Sequence, residues 1–229
     1  MTRKSYYSLA AGMLSLGVLA AAGTAQADDL TRQLDGKHQR CLERIAEDQE
    51  LALEEAMIWR DQGGGRRARH CEAMALFALG HEDEAAYRLD ALAEGPDGGS
   101  ERMRMNFRSE AANFWLVAGD AGRAYESATA GLDYDETHAD LRISRARAYS
   151  LSGRDDYADT DLTTVLRQHP GHAEALRYRA DIRLKQGRLV AAKADIEASL
   201  RADDSSVETA LVRGRINEAI RLSEMADAD

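Results

Sequence analysis

Residues 139–172 read ADLRISRARAYSLSGRDDYADTDLTTVLRQHPGH. In the first half, Leu141, Ala146, Ala148 and Tyr149 share one helical face, and Ser152-Gly153-Arg154 breaks it. Glycine at that point suits the left-handed position that ends many helices. Asp155 and Asp156 follow, where they can cap a second helix. Ala158, Leu162, Val165 and Leu166 then fall at i, i+4, i+7 and i+8, a second apolar face. His169-Pro170-Gly171 ends it. The stretch predicts two antiparallel helices joined by a tight turn.

The same design recurs on both sides. Gly119, Gly153 and Gly187 stand 34 residues apart, and so do Ala124, Ala158 and Ala192, and Leu132, Leu166 and Leu200. A fourth series, Ala112, Ala146, Ala180 and Gly214, keeps the step. A 34-residue period in helix-forming sequence marks a helix-turn-helix solenoid. The two prolines, Pro96 and Pro170, fall between helices, and no stretch keeps a period-2 alternation of branched residues. The expected fold class is all-α.

These residues resemble the tetratricopeptide repeat (TPR). The unit 139–172 carries the small Ala146, the aromatic Tyr149, Gly153, Ala158, the bulky Leu162 and Pro170 at the family's spacing. Unit 105–138 supplies Ala112, Trp115, Gly119 and Ala124 but has Glu136 in place of the proline. Unit 173–206 supplies Ala180, Gly187, Ala192 and Ile196, with Arg183 at the aromatic site and Asp204 at the proline site. A looser unit, 66–104, contains Ala73, Leu76, Gly80 and Ala85, and Glu94–Ser100 reads as an exposed inserted loop. Residues 28–65 read as a degenerate first repeat ended by Gly63-Gly64-Gly65, and 207–229 as a capping helix and tail. Gly214 takes the small position of that helix; a turn at Gly214 is the alternative.

The chain begins like an exported protein. Arg3 and Lys4 precede an uncharged apolar run from Leu9 to Ala22, and Ala25-Gln26-Ala27 forms a small-x-small cleavage site. Residues 1–27 therefore read as a cleavable signal with cleavage after Ala27, of the Sec type. No cysteine follows the site as in a lipoprotein, and Arg3-Lys4 is not a twin-arginine pair. The run is short for a membrane span. A periplasmic or secreted location follows, with no stable membrane anchor. Removing 1–27 takes Arg3 and Lys4 away and moves the formal charge from −10 to −12. Such a chain has no general attraction for nucleic acid. Clusters such as Arg66-Arg67-x-Arg69 are interleaved with acids and read as solvated faces.

Cys41 and Cys71 are the only cysteines. In an exported protein an even pair is a candidate disulfide. One straight helix over 38–62 would keep them apart, since Cys41 would lie about 33 Å from Gly63 at 1.5 Å per residue. A break near Glu47-Asp48-Gln49 makes 38–46 and 66–79 neighbours of like direction and lets the two meet. Two buried free thiols are the alternative.

Motifs for phosphate binding, serine hydrolysis, zinc proteolysis or CxxC redox chemistry are absent. His169-Pro170-Gly171-His172 is the only close histidine pair in sequence, in an inter-repeat loop. No catalytic residue, metal site or cofactor is expected. The resemblance implies instead a protein or peptide partner held on the concave face. Its candidate residues are Asn106, Ser109, Glu110 and Asn113, then Asp140, Ile143, Ser144 and Arg147, then Glu174, Arg177, Tyr178 and Asp181. The family's carboxylate clamp is not carried over: Asn113 matches one element, but Ser109, Ser144, Glu174 and Tyr178 replace the others. The expected role is a periplasmic interaction scaffold. Self-association in the envelope and an accessory envelope enzyme are the alternatives.

Overall fold

The computed structural model describes residues 16–227, with side chains from Asp28 onward. The expected basic start of the signal and the first part of its apolar run lie outside the described residues. Eleven helices follow among those described: α1 Leu16–Glu47, α2 Gln49–Asp61, α3 Gly65–Ala78, α4 Glu82–Glu94, α5 Glu101–Val117, α6 Ala121–Leu132, α7 Ala139–Leu151, α8 Asp155–Gln168, α9 Ala173–Lys185, α10 Leu189–Ala202 and α11 Val207–Ala226. α1 runs unbroken through Ala27, and no described helix is long and apolar enough to cross a membrane.

Each helix packs on the next, and the odd-numbered helices also touch across the stack: α1 on α3, α5 on α7, α7 on α9 and α9 on α11. α3 and α5 meet through the stacked rings of Phe77 and Phe114, 3.7 Å between centroids. Contacts of this kind are few between even-numbered helices, so the odd helices form the inner wall. The fully enclosed Ala112, Ala146 and Ala180 explain the close crossing within each pair. Gly80, Gly119, Gly153 and Gly187 all take positive φ, 71–82°, directly after α3, α5, α7 and α9. A Cβ there would be strained, which accounts for the glycine series.

Local readings are corrected in several places. α8 starts after Arg154, with no side-chain cap. Asp155 accepts from Ser150 Oγ, and Asp156 from Gln186 Nε2. Histidines take the capping role instead: His138 Nδ1 accepts from Leu141 N, and His172 Nδ1 from Ala175 N. α5 begins at Glu101, ahead of the boundary at 105, because the Ser100 hydroxyl caps it. The 94–100 loop is pinned rather than free. Arg104 donates to Ala93 O, Arg69 pairs with Asp97, and a Cβ on Gly98 would lie 2.6 Å from Leu92 O. α11 passes straight through Gly214, which is exposed, so no second turn forms there.

Arg69 of the Arg66-Arg67-x-Arg69 cluster is exposed, but several other arginines are drawn into the stack by buried acids. Asp161 accepts from Arg142 Nη1 at 2.6 Å and from Arg145 Nε at 2.7 Å. Asp195 accepts from Arg179 Nη2 and Arg183 Nη1, both at 2.7 Å. Both carboxylates are buried, 3% and 6% exposed. Glu72 is held likewise by Arg60 and Arg88. Asp90 takes Arg108, the Trp115 indole N–H and Ser127 Oγ. The Asp161 hydrogen bonds raise the Arg145 pKa above the ordinary arginine value, against its burial. Such charges persist inside a fold because each is paired and hydrogen-bonded.

Candidate functional site

The inner wall gathers the residues expected on the concave face, but not all of them remain open. Ile143 and Ser144 are 3% and 1% exposed and offer no surface to a partner. Asn113 is largely engaged within the protein: its Oδ1 accepts from Ser144 Oγ and Arg147 Nη1, each at 3.1 Å, and its Nδ2 donates to Ser109 O at 3.2 Å. It therefore organises the wall, locking α7 to α5.

The open part is centred on Tyr178 of α9. The Arg177 guanidinium lies 4.1 Å from the ring centroid, and that of Arg147, from α7, 5.2 Å. Cation–π contacts of this kind hold planar groups in fixed positions. Arg177 has Glu174 at 3.7 Å. One turn further along α9, Asp181 Oδ1 has Arg215 Nη2 of α11 at 2.8 Å. Asp140 is exposed in the first turn of α7. The result is a shelf of aromatic, guanidinium and carboxylate groups on α7 and α9 that reaches Arg215 of α11.

Towards the N-terminus the wall continues from the expected Asn106 and Glu110 to residues of α1 and α3 that sequence reasoning missed. Glu110 Oε2 accepts from His70 Nε2 at 2.8 Å, and His70 Nδ1 lies 2.9 Å from His38 Nε2. Arg67 Nε donates to Asp35 Oδ1 at 2.6 Å. An open depression of about 240 Å³ there is lined by Arg66, His70, Met103, Asn106, Phe107 and Glu110 among others. Burial, followed by the nearby charges of His70 and Arg67, pushes the His38 pKa down to about 4. The signal for this cluster is an offset of 32, pairing 35 with 67 and 38 with 70. The 34-residue register hides it.

Cys41 Sγ is joined to Cys71 Sγ, with Cα atoms 6.2 Å apart. The contacts 35–67, 38–70 and 41–71 advance together, so α1 and α3 run in the same direction. Among the described residues no group of three or more histidine, cysteine or acidic side chains is placed to hold a metal ion.

No protein-family model matches the chain. A stretch of 177 residues, 77% of this chain, is 29% identical to cellulose synthase operon protein C of Xanthomonas axonopodis pv. citri (strain 306), and the chain spans 10% of that protein's length. Among solved structures, a thermophilic TPR protein of Thermus thermophilus has a TM-score of 0.58 at 19% identity, covering 80% of this chain and 98% of the other. The Sgt2 TPR domain from Aspergillus fumigatus gives 0.51 at 18%, covering 59% and 86%. Both likenesses concern the fold. With the 34-residue register, the glycine turns and the inner wall of odd-numbered helices, they show that the fold is a TPR-like helix-turn-helix solenoid.

Proposed function

We propose that the chain is an exported interaction scaffold that holds an extended segment of a protein partner along the inner wall. The observation that carries this reading is the Arg147–Tyr178–Arg177 shelf. It is a planar, hydrogen-bonding surface built by two helices and held in place by Asn113, with its long side chains ordered before any partner arrives. Ordering side chains in advance removes part of the entropic cost of binding. Tyrosine and arginine are the residue types that anchor interfaces. Export rests on residues 1–27 and on the cysteine pair, which suits an oxidising compartment. The likeness to cellulose synthase operon protein C is a likeness to a tenth of that protein, and it supports repeats rather than a synthase activity.

The test uses the chain from Asp28 onward as bait in periplasmic extract, beside an Arg147→Glu, Arg177→Glu double variant. The expected result is an identified partner retained by the first and lost by the second, with both melting alike. Equal retention of that partner by both moves the site off this wall. Capture of nothing by either removes the scaffold reading.

A further inference from the structure

The part of α1 from Asp28 to Arg40 is held differently from the other helices. From Asp28 to Arg40 no side chain is buried, and Leu30 is 56% exposed. Its attachments include Asp35 to Arg67, His38 to His70, and the Lys37 ammonium 4.7 Å over the Trp59 ring of α2. The Cys41–Cys71 bridge follows directly and fixes the helix at that point. In the protein from Asp28 onward, residues 28–39 are therefore an arm tethered at one end. They lie beside the depression lined by Arg66, His70, Met103, Asn106, Phe107 and Glu110, and Asp35 and His38 form part of its rim.

The hydrogen bonds order the protons along this rim. The Glu110 carboxylate accepts, so His70 Nε2–H donates; His70 Nδ1 and His38 Nε2 then share a hydrogen bond 2.9 Å long. The charged and titratable groups facing His38 are Asp35 on its own helix, Arg66, Arg67 and His70 on α3, and Glu110 on α5. α2 meets the arm on another side, where Trp59 lies under Lys37. A proton added to His38 thus enters a half-buried position beside the guanidinium of Arg67 and the second imidazole.

We propose that residues 28–39 are a hinged cover over the N-terminal end of the inner wall, latched at neutral pH by the Asp35–Arg67 and His38–His70–Glu110 contacts and released by mild acid. The sign follows from His38. In the closed form its pKa lies near 4, below the ordinary value of 6.5. The open form takes up the proton first, so closure is complete above about pH 6.5 and weakens as pH falls towards 4. Between pH 7 and pH 5 the open-to-closed ratio rises roughly 20-fold. Asp35 is held below the usual carboxylate range, chiefly by its hydrogen bond to Arg67. It keeps its charge over that interval, and the acid response is assigned to His38. The proposal stands whether or not the wall takes a peptide.

Twelve residues freed from the stack are too few to stay helical alone, so release is read by amide hydrogen exchange. The protein from Asp28 onward, with its bridge intact, is measured at pH 7 and pH 5 after correction for intrinsic exchange rates. The expected result is a fall in protection of about tenfold or more confined to residues 30–40. Asp35→Asn should lower protection there at both pH values while keeping the pH ratio, and His38→Gln should abolish the ratio. Equal protection at the two pH values, a loss shared by α5 to α9, or an unchanged ratio in His38→Gln overturns the proposal.

Discussion

At Ala146 the side chain is fully enclosed where α7 crosses its partner, and Ala180 repeats the situation 34 residues later. Close-packed interiors have no room for added methylene groups. Ala146→Leu should therefore destabilise by about 1–3 kcal/mol through overpacking, measured as a lower denaturation midpoint. An unchanged midpoint would place the helix crossing elsewhere. Asp195 presents the opposite problem. It accepts from both Arg179 and Arg183, whose side chains are 14% and 13% exposed. Asp195→Ala leaves Arg179 without a carboxylate while Arg183 keeps Asp159, so the loss should reach the lower end of the about 3–5 kcal/mol that breaking a buried pair costs. Urea denaturation checks the value, and a loss under about 1 kcal/mol would class the pair with surface ion pairs.

Among the elements, α1 and α11 depart most from the repeat. α11 is 20 residues long against 13 for α7 and α9, because Arg221 stands where they are followed by Gly153 and Gly187. Without a positive-φ residue the helix continues. Its outward stripe, including Val207, Leu211 and Leu222, stays exposed, 52–68%. α1 depends on its bridge to α3. Closing the loop between Cys41 and Cys71 contributes roughly 3–4 kcal/mol on the chain-entropy model. Cys41→Ser should lower the denaturation midpoint and raise exchange in α1 before α5 to α9 respond. A variant matching the parent in both measurements would show that the bridge does not hold the N-terminal unit.

For the whole molecule, contacts between neighbouring helices dominate, so stability should be distributed as in a one-dimensional array. Asp195→Ala should then lower hydrogen-exchange protection in α9 to α11 more than in α3 to α5; an equal loss along the chain would make the stack one cooperative unit. The 34-residue register was legible because glycine turns and alanine crossings are local backbone and packing requirements, repeated in every unit. The inner wall was legible as a set of positions for the same reason. Which of its residues stay open was not. Ser144 and Asn113 have the polarity of ligand-binding groups, and only the approach of α5 to α7 turns their hydrogen bonds inward. The Arg–Asp pairs keep the same 34-residue step, Arg145 to Arg179 and Asp161 to Asp195, yet charge in sequence does not reveal burial. The His38–His70–Glu110 contact joins three helices across separations of 32 and 40 residues. Sequence alone determined an all-α repeat stack with its turns, since those depend on neighbours along the chain. Only the tertiary structure decided which charges are buried, which inner-wall side chains are closed off by neighbouring helices and what lies against the N-terminal end of the wall, since those depend on helices meeting across the stack.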